Sequence, residues 1–100
     1  MIRVTRVRFY GTPRGSFISY ASVVLNDALL LHDIRLIQHR EVGKPLMIAM
    51  PSKELQNGRR QEHYHPVSRE ARSEIEQAVR QEWSEQESSR NEPESERQAA

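Results

Sequence analysis

The stretch Leu30–Ile37, LLHDIRLI, sets His32, Asp33 and Arg35 inside an otherwise apolar run. A histidine beside an aspartate is the pairing of a general base with the carboxylate that orients it. Adjacent residues of a strand point to opposite faces, however, so His32 and Asp33 are expected to stand apart. Period two instead puts Asp33 and Arg35 on one side, about 7 Å from each other. No nucleophile accompanies the histidine. The expectation is therefore structural: an Asp33–Arg35 pair, satisfied by a nearby loop or a second copy, because paired charges persist where a lone one would not. His63 and His65 form a second candidate group. Two histidines two apart on a strand share a face, and imidazole suits Zn²⁺, but no third ligand follows from the spacing. Pro66 also biases His65 toward a loop. No metal and no cofactor is expected.

The cations offer different chemistry. Lys53, Arg59, Arg60, Arg69 and Arg72 fall between the fourth strand and the start of the helix described below. Lysine and arginine on a loop and a helix N-terminus can meet phosphates, with backbone N–H groups adding donors. The alternative is an ordinary solvated face of a chain that is 29% charged. Arg3, Arg6, Arg8 and Arg14 are a second basic group with no acid among them. Arg6 and Arg8 share strand phase with Tyr10, where a base could stack, although charge on an edge strand also guards against aggregation. Neither a Gly-rich phosphate loop nor a nucleophile elbow occurs. The chain is not expected to be an enzyme.

One hundred residues bound the fold to one small domain. There is no cysteine, which excludes disulfides, thiolate metal sites and a cysteine nucleophile. No apolar run approaches the roughly 20 residues that span a bilayer. MIRVTRVRFY lacks the apolar centre of a signal peptide, so a cytoplasmic protein without membrane contact is expected. Net charge is only +1 but uneven: residues 1–67 hold ten Lys/Arg against five Asp/Glu, residues 68–100 five Arg against nine Glu. A basic body with an acidic end is compatible with a polyanionic partner.

Positioning these residues requires strands first and a helix last. IRVTRVRFY (2–10) alternates as a strand, with Thr5, Val7 and Phe9 on one face and Val4, Arg6, Arg8 and Tyr10 on the other. Gly11–Gly15 is a turn by composition. SFISYASVVL (16–25) is a second strand with Phe17, Ala21, Val23 and Leu25 in phase, and Asn26-Asp27 favours a tight hairpin into ALLLHDIRLI (28–37). PLMIAM (45–50) is a short apolar strand expected at the sheet centre, closed by Pro51. Asn57-Gly58 signals another hairpin. Ser68 is a good N-cap, and Ala71, Ile75, Ala78, Val79 and Trp83 make one helical stripe over 69–83. The polar sequence after it cannot offset its own ordering entropy and reads as a disordered acidic tail over 85–100, leaving an ordered domain over 1–84. The expected class is α+β, a small antiparallel sheet followed by one C-terminal helix. One helix covers little of such a sheet. An apolar face, bearing Ile18, Tyr20 and Val24 or Leu30 and Ile34, would be buried against a second copy.

HDIR (32–35), MIAMPSK (47–53), His65-Pro66 and the helix pattern from Arg72 to Trp83 together resemble the SpoVG family, small bacterial proteins associated with septation and sporulation. The resemblance covers about residues 2 to 83. It implies a SpoVG-like homodimer that binds DNA and RNA and modulates gene expression. Under it, Lys53, Arg59, Arg60, Arg69 and Arg72 would contact phosphates, while Asp33, Arg35 and Pro51 would hold the framework. Two positions depart from the family's pattern: Glu54 and Glu74 stand where a cation is common, which lowers the local positive potential. The competing reading is an adaptor that contacts septation proteins without touching nucleic acid. A small metal-dependent enzyme using the histidines is the third.

Overall fold

The computed structural model describes residues 2–90. Four strands, β1 (Val4–Tyr10), β2 (Phe17–Leu25), β3 (Leu29–Ile37) and β4 (Met47–Ala49), form an antiparallel sheet in that order. β5 (Ser52–Glu54) and β6 (Arg60–Glu62) pair as a separate hairpin, and α1 spans Arg69–Arg90. The class is α+β, as the chain pattern requires. The core lies between one sheet face and the helix: Ala21, Val23, Leu25, Ile34, Leu36 and Met50 meet Ile75, Val79 and Trp83.

The β2–β3 turn follows directly from Asn26 and Asp27. Both adopt positive φ (53° and 52°), and the Ala28 N–H donates to the Leu25 carbonyl, a geometry whose twist matches the flanking strands. The Asn26 side chain also accepts from the Arg3 N–H at 2.8 Å, tying the turn to the start of the chain. In the second hairpin only Gly58 takes positive φ, and its N–H closes on the Leu55 carbonyl at 3.0 Å. Ser68 caps the helix by accepting from the Ala71 N–H. Glu74, expected only to weaken a positive surface, accepts from the Val4 N–H at 2.9 Å and so fastens β1 to the helix.

Three expectations fail, each for a physical reason. β4 is an edge strand, not a central one: Pro45 has no N–H to give a ladder, and Pro51 sends the chain off into the separate hairpin. Its approach is covered by Arg80, whose Nε donates to the Leu46 carbonyl at 2.8 Å. The helix continues past Trp83 to Arg90, where an unstructured tail was expected from 85. Side-chain bonds between Gln81 and Glu85 and between Glu82 and Gln86 support those turns, and extending a formed helix costs far less than nucleating one. The remainder of the expected tail, 91–100, lies outside the described residues.

The strand phases are the third correction, because all three long strands carry a bulge. Val4 pairs with Leu25 and Arg6 with Val24, so Thr5 is an extra residue and Val4 joins Val7 and Phe9 against the core. Ile18 is extra in β2 and packs inward, while Phe17 turns out against the Tyr20 ring. In β3, His32 and Asp33 together oppose Ser22 alone. The slip moves Ile34 and Leu36 into the core behind Leu31. The outer sheet face is therefore mixed in character, with arginines and tyrosines set among Val24 and Leu30. Its rows read Arg6–Val24–Leu30, then Arg8–Ser22, then Tyr10–Tyr20–Arg35–Ala49.

Candidate nucleic-acid interface

Asp33 is the pivot of the outer face. It adopts φ 63°, a conformation that aspartate tolerates better than most residues with a Cβ. Tyr10 holds it there. The Tyr10 hydroxyl donates to Asp33 Oδ1 at 2.5 Å and accepts from the Asp33 N–H at 2.8 Å. Because of the bulge, His32 and Asp33 are not on opposite sides: His32 Nδ1 lies 3.4 Å from Asp33 Oδ2. Tyr64 completes the cluster by donating its hydroxyl to the His32 carbonyl. The expected Asp33–Arg35 pair does not form among the described residues, since Asp33 is already engaged by Tyr10 and His32. Arg35 is left half-buried, and its side chain has no hydrogen bond or ion pair among those residues.

These contacts set the titration behaviour. The Tyr10 hydrogen bond, ahead of His32, holds the Asp33 carboxyl below its ordinary value. Burial, with the nearby charge of Asp33, pushes the Tyr64 phenol up to about 12. A raised phenol pKa means the folded state prefers the neutral form. That stabilisation is complete below the ordinary tyrosine value near 10 and is lost as pH rises through about 12. The Asp33 contribution has the opposite sense, present above its ordinary value and lost on acidification. Melting temperature measured against pH should fall steeply above pH 10 in the parent protein and less steeply in Tyr64→Phe; equal slopes would contradict the assignment.

Arg35 and Arg60 line one open groove on the outer face, with Tyr20, Asp33, Pro51, Ser52 and His63, and a volume of about 430 Å³. Arg60 is oriented by its Nε donating to Ser52 Oγ at 3.1 Å. Pro51 ends β4 and its carbonyl accepts from the His63 N–H at 2.7 Å, which closes the base of the hairpin. Lys53 and Arg59 are exposed on the same hairpin. Arg69 and Arg72 are elsewhere, in a shallow groove of the helix with Glu76 and Arg80. Arg72 and Arg80 lie 3.8 and 3.3 Å from Glu76 carboxylate oxygens, and the helix carries six Glu against four Arg. The five expected phosphate contacts are thus divided between a hairpin and an acidic helix, in grooves that share no residue.

The histidine pair is divided as well. His63 lines the outer groove, while His65 lies by Glu62 and borders an apolar hollow with Leu29, Leu31 and Ile75. No group of three potential metal ligands gathers among the described residues. Nor is any helix among them long and apolar enough to cross a membrane. Sequence reasoning missed Tyr64, gave Tyr20 to a face for a second copy, and took Ser52 only as part of the framework turn over 49–52. The shared phase of Arg6, Arg8 and Tyr10, and that of Tyr20 and Val24, were the usable signals for the outer face.

Comparison with known proteins is consistent along this whole region. The SpoVG family model matches residues 2–85. A protein of Archaeoglobus fulgidus named "Putative septation protein SpoVG" is 38% identical over 88 residues, covering 87% of this chain and all of the relative. Proteins of the same name from Treponema denticola and Finegoldia magna are 35% and 39% identical, over 78% and 66% of this chain and 76% and 58% of their own lengths.

Proposed function

Because the chain belongs to the SpoVG family, we propose that it is a nucleic-acid-binding regulator with a role in septation, acting as a homodimer and without catalysis of its own. The observation that carries the reading is the outer sheet face. Arg6, Arg8 and Arg35 stand there among Tyr10 and Tyr20, and the adjoining hairpin adds Lys53, Arg59 and Arg60. Asp33, at the centre of this face, is held by Tyr10 and His32. Cations interleaved with aromatic rings suit a phosphate backbone and its bases. The acidic helix is less suited, so the hairpin cations carry more of the binding than Arg69 and Arg72.

The test is binding to labelled duplex DNA and to RNA across a salt series. Counterion release predicts that the logarithm of affinity falls linearly with the logarithm of salt, by roughly 0.9 per phosphate contact on duplex DNA and 0.7 on a single strand. The triple variant Lys53→Ala/Arg59→Ala/Arg60→Ala should flatten the slope by about two to three contacts. Salt-independent binding, or no binding, overturns the reading. Light scattering gives the mass in solution; a monomer at working concentration removes the homodimer from it.

An adaptor function draws on a different observation. Leu29 and Leu30 are each 57% exposed, and Leu29 borders an apolar hollow of about 310 Å³ with Leu31, Tyr64, Pro66 and Val67. Solvent-facing apolar surface of this kind suits a protein partner. Affinity capture with and without nuclease separates the readings: partners from septation that persist after digestion favour the adaptor.

A further inference from the structure

We propose that the outer groove between β3 and the β5–β6 hairpin seats a phosphate of a single-stranded nucleic acid, clamped between Arg35 and Arg60. This rests on the nucleic-acid reading above and names the kind of strand and the place it enters. Arg35 is the centre of the argument. Its guanidinium has five N–H donors, and the half-buried side chain meets no acceptor among the described residues. A cation without a counter-charge can receive an arriving anion with no existing pair to break. The guanidinium fork matches two phosphate oxygens at once.

The rest of the groove agrees. Arg60 spends its Nε on Ser52 Oγ, which fixes the side chain and leaves its terminal nitrogens free among the described residues. Ser52 accepts in that bond, so its own O–H remains to donate. His63, which also lines the groove, adds a ring N–H. Asp33 is the acid that lines the groove, and the Tyr10 hydroxyl and His32 engage both its oxygens.

The shape and neighbours of the groove select a single strand. Tyr20 lies beside Arg35 in the cross-strand row, and its ring stacks on that of Tyr10 at 5.5 Å. Tyr10 is 41% exposed at the end of that row. A flexible strand can set a phosphate into a recess and lay the adjoining base against an aromatic surface. A duplex keeps its bases paired and stacked and offers a stiff convex backbone. It reaches the exposed Lys53 and Arg59 more readily than the half-buried Arg35 side chain.

The experiment uses the full chain and two probes: a labelled oligouridylate of roughly ten nucleotides and a duplex DNA. Arg35→Ala is expected to weaken oligouridylate binding about tenfold and to lower its salt slope by about 0.7, one phosphate contact. Duplex binding should change less than about threefold. Arg35→Lys, which keeps the charge but not the fork, should recover only part of the loss. Circular dichroism melts confirm that the variants are folded. Titrating the probe into the parent protein by NMR, which needs no variant, should shift the Arg35 and Arg60 Nε–H signals first.

Parent binding that is salt-dependent, with Arg35 and Arg60 signals unmoved and Arg35→Ala unchanged, overturns the groove and leaves the nucleic-acid reading standing. Equal loss on both probes overturns the single-strand assignment. A parent protein that binds neither probe ends both.

Discussion

Trp83→Ala is expected to cost about 3–5 kcal/mol of folding stability, the range for removing a buried tryptophan. Trp83 is 8% exposed, lies in the core with Ile75 and Val79, and meets the Phe9 ring edge-on at 5.0 Å. That contact joins the far half of the helix to β1. Cutting the side chain to a methyl leaves a cavity between helix and sheet that Phe9, held in a paired strand, cannot fill. A small domain has only about 5–15 kcal/mol in total. Its melting temperature should fall on the order of 20 °C, since one kcal/mol corresponds to about 4–8 °C at this size. The last turns of the helix, after Ser84, should fray, because among the described residues no core side chain beyond Trp83 holds them. Urea unfolding and far-ultraviolet dichroism measure both effects. Val42→Ala is the control: Val42 is fully exposed, and surface changes of that kind stay within about 0.5 kcal/mol. A Trp83→Ala protein as stable as the control would show that the helix does not hold this sheet.

Gly11→Ala should cost about 1–3 kcal/mol, the range for a residue forced into a sparsely populated backbone region. Gly11 has φ 96°, which L-residues rarely adopt, and an added Cβ would lie 2.9 Å from Tyr20 Cδ2. The ring cannot simply swing aside, because Tyr10 stacks on it and Phe17 meets it edge-on at 4.8 Å. Gly15→Ala separates the two causes. Gly15 also has positive φ, 58°, but nothing within 4 Å of an added Cβ, so it carries strain without collision and should cost less. Gly11→Ala should also weaken oligonucleotide binding more than Gly15→Ala, since displacing Tyr20 disturbs the row that contains Arg35. Equal thermal shifts in the two variants would place the whole effect in the backbone.

Much of the fold was legible in the chain because local rules governed it. Asn26-Asp27 made the expected turn, Ser68 capped the helix, and the stripe ending at Trp83 is the buried one. These features depend on a few neighbouring residues, whose spacing the chain displays. The phase of the long strands did not follow from alternation. A bulge inserts one residue opposite a partner far away in sequence, and nothing local in LLHDIRLI records that Ser22 faces both His32 and Asp33. Shifting by one residue moved Ile34 into the core and separated Asp33 from Arg35 as partners.

The same distinction applies to the candidate interface. That the chain carries cations in excess before the helix, no cysteine, and a family signature was determined by the sequence alone. Which cations line a common groove was decided only by tertiary structure. Arg35 and Arg60 line one groove although 25 positions apart, while Arg60 and Arg69, nine apart, line different grooves. Charge is a property of each residue, but a binding site is a property of distances. Distances between strands are set by hydrogen-bond register and packing, which join residues that the order of the chain keeps apart.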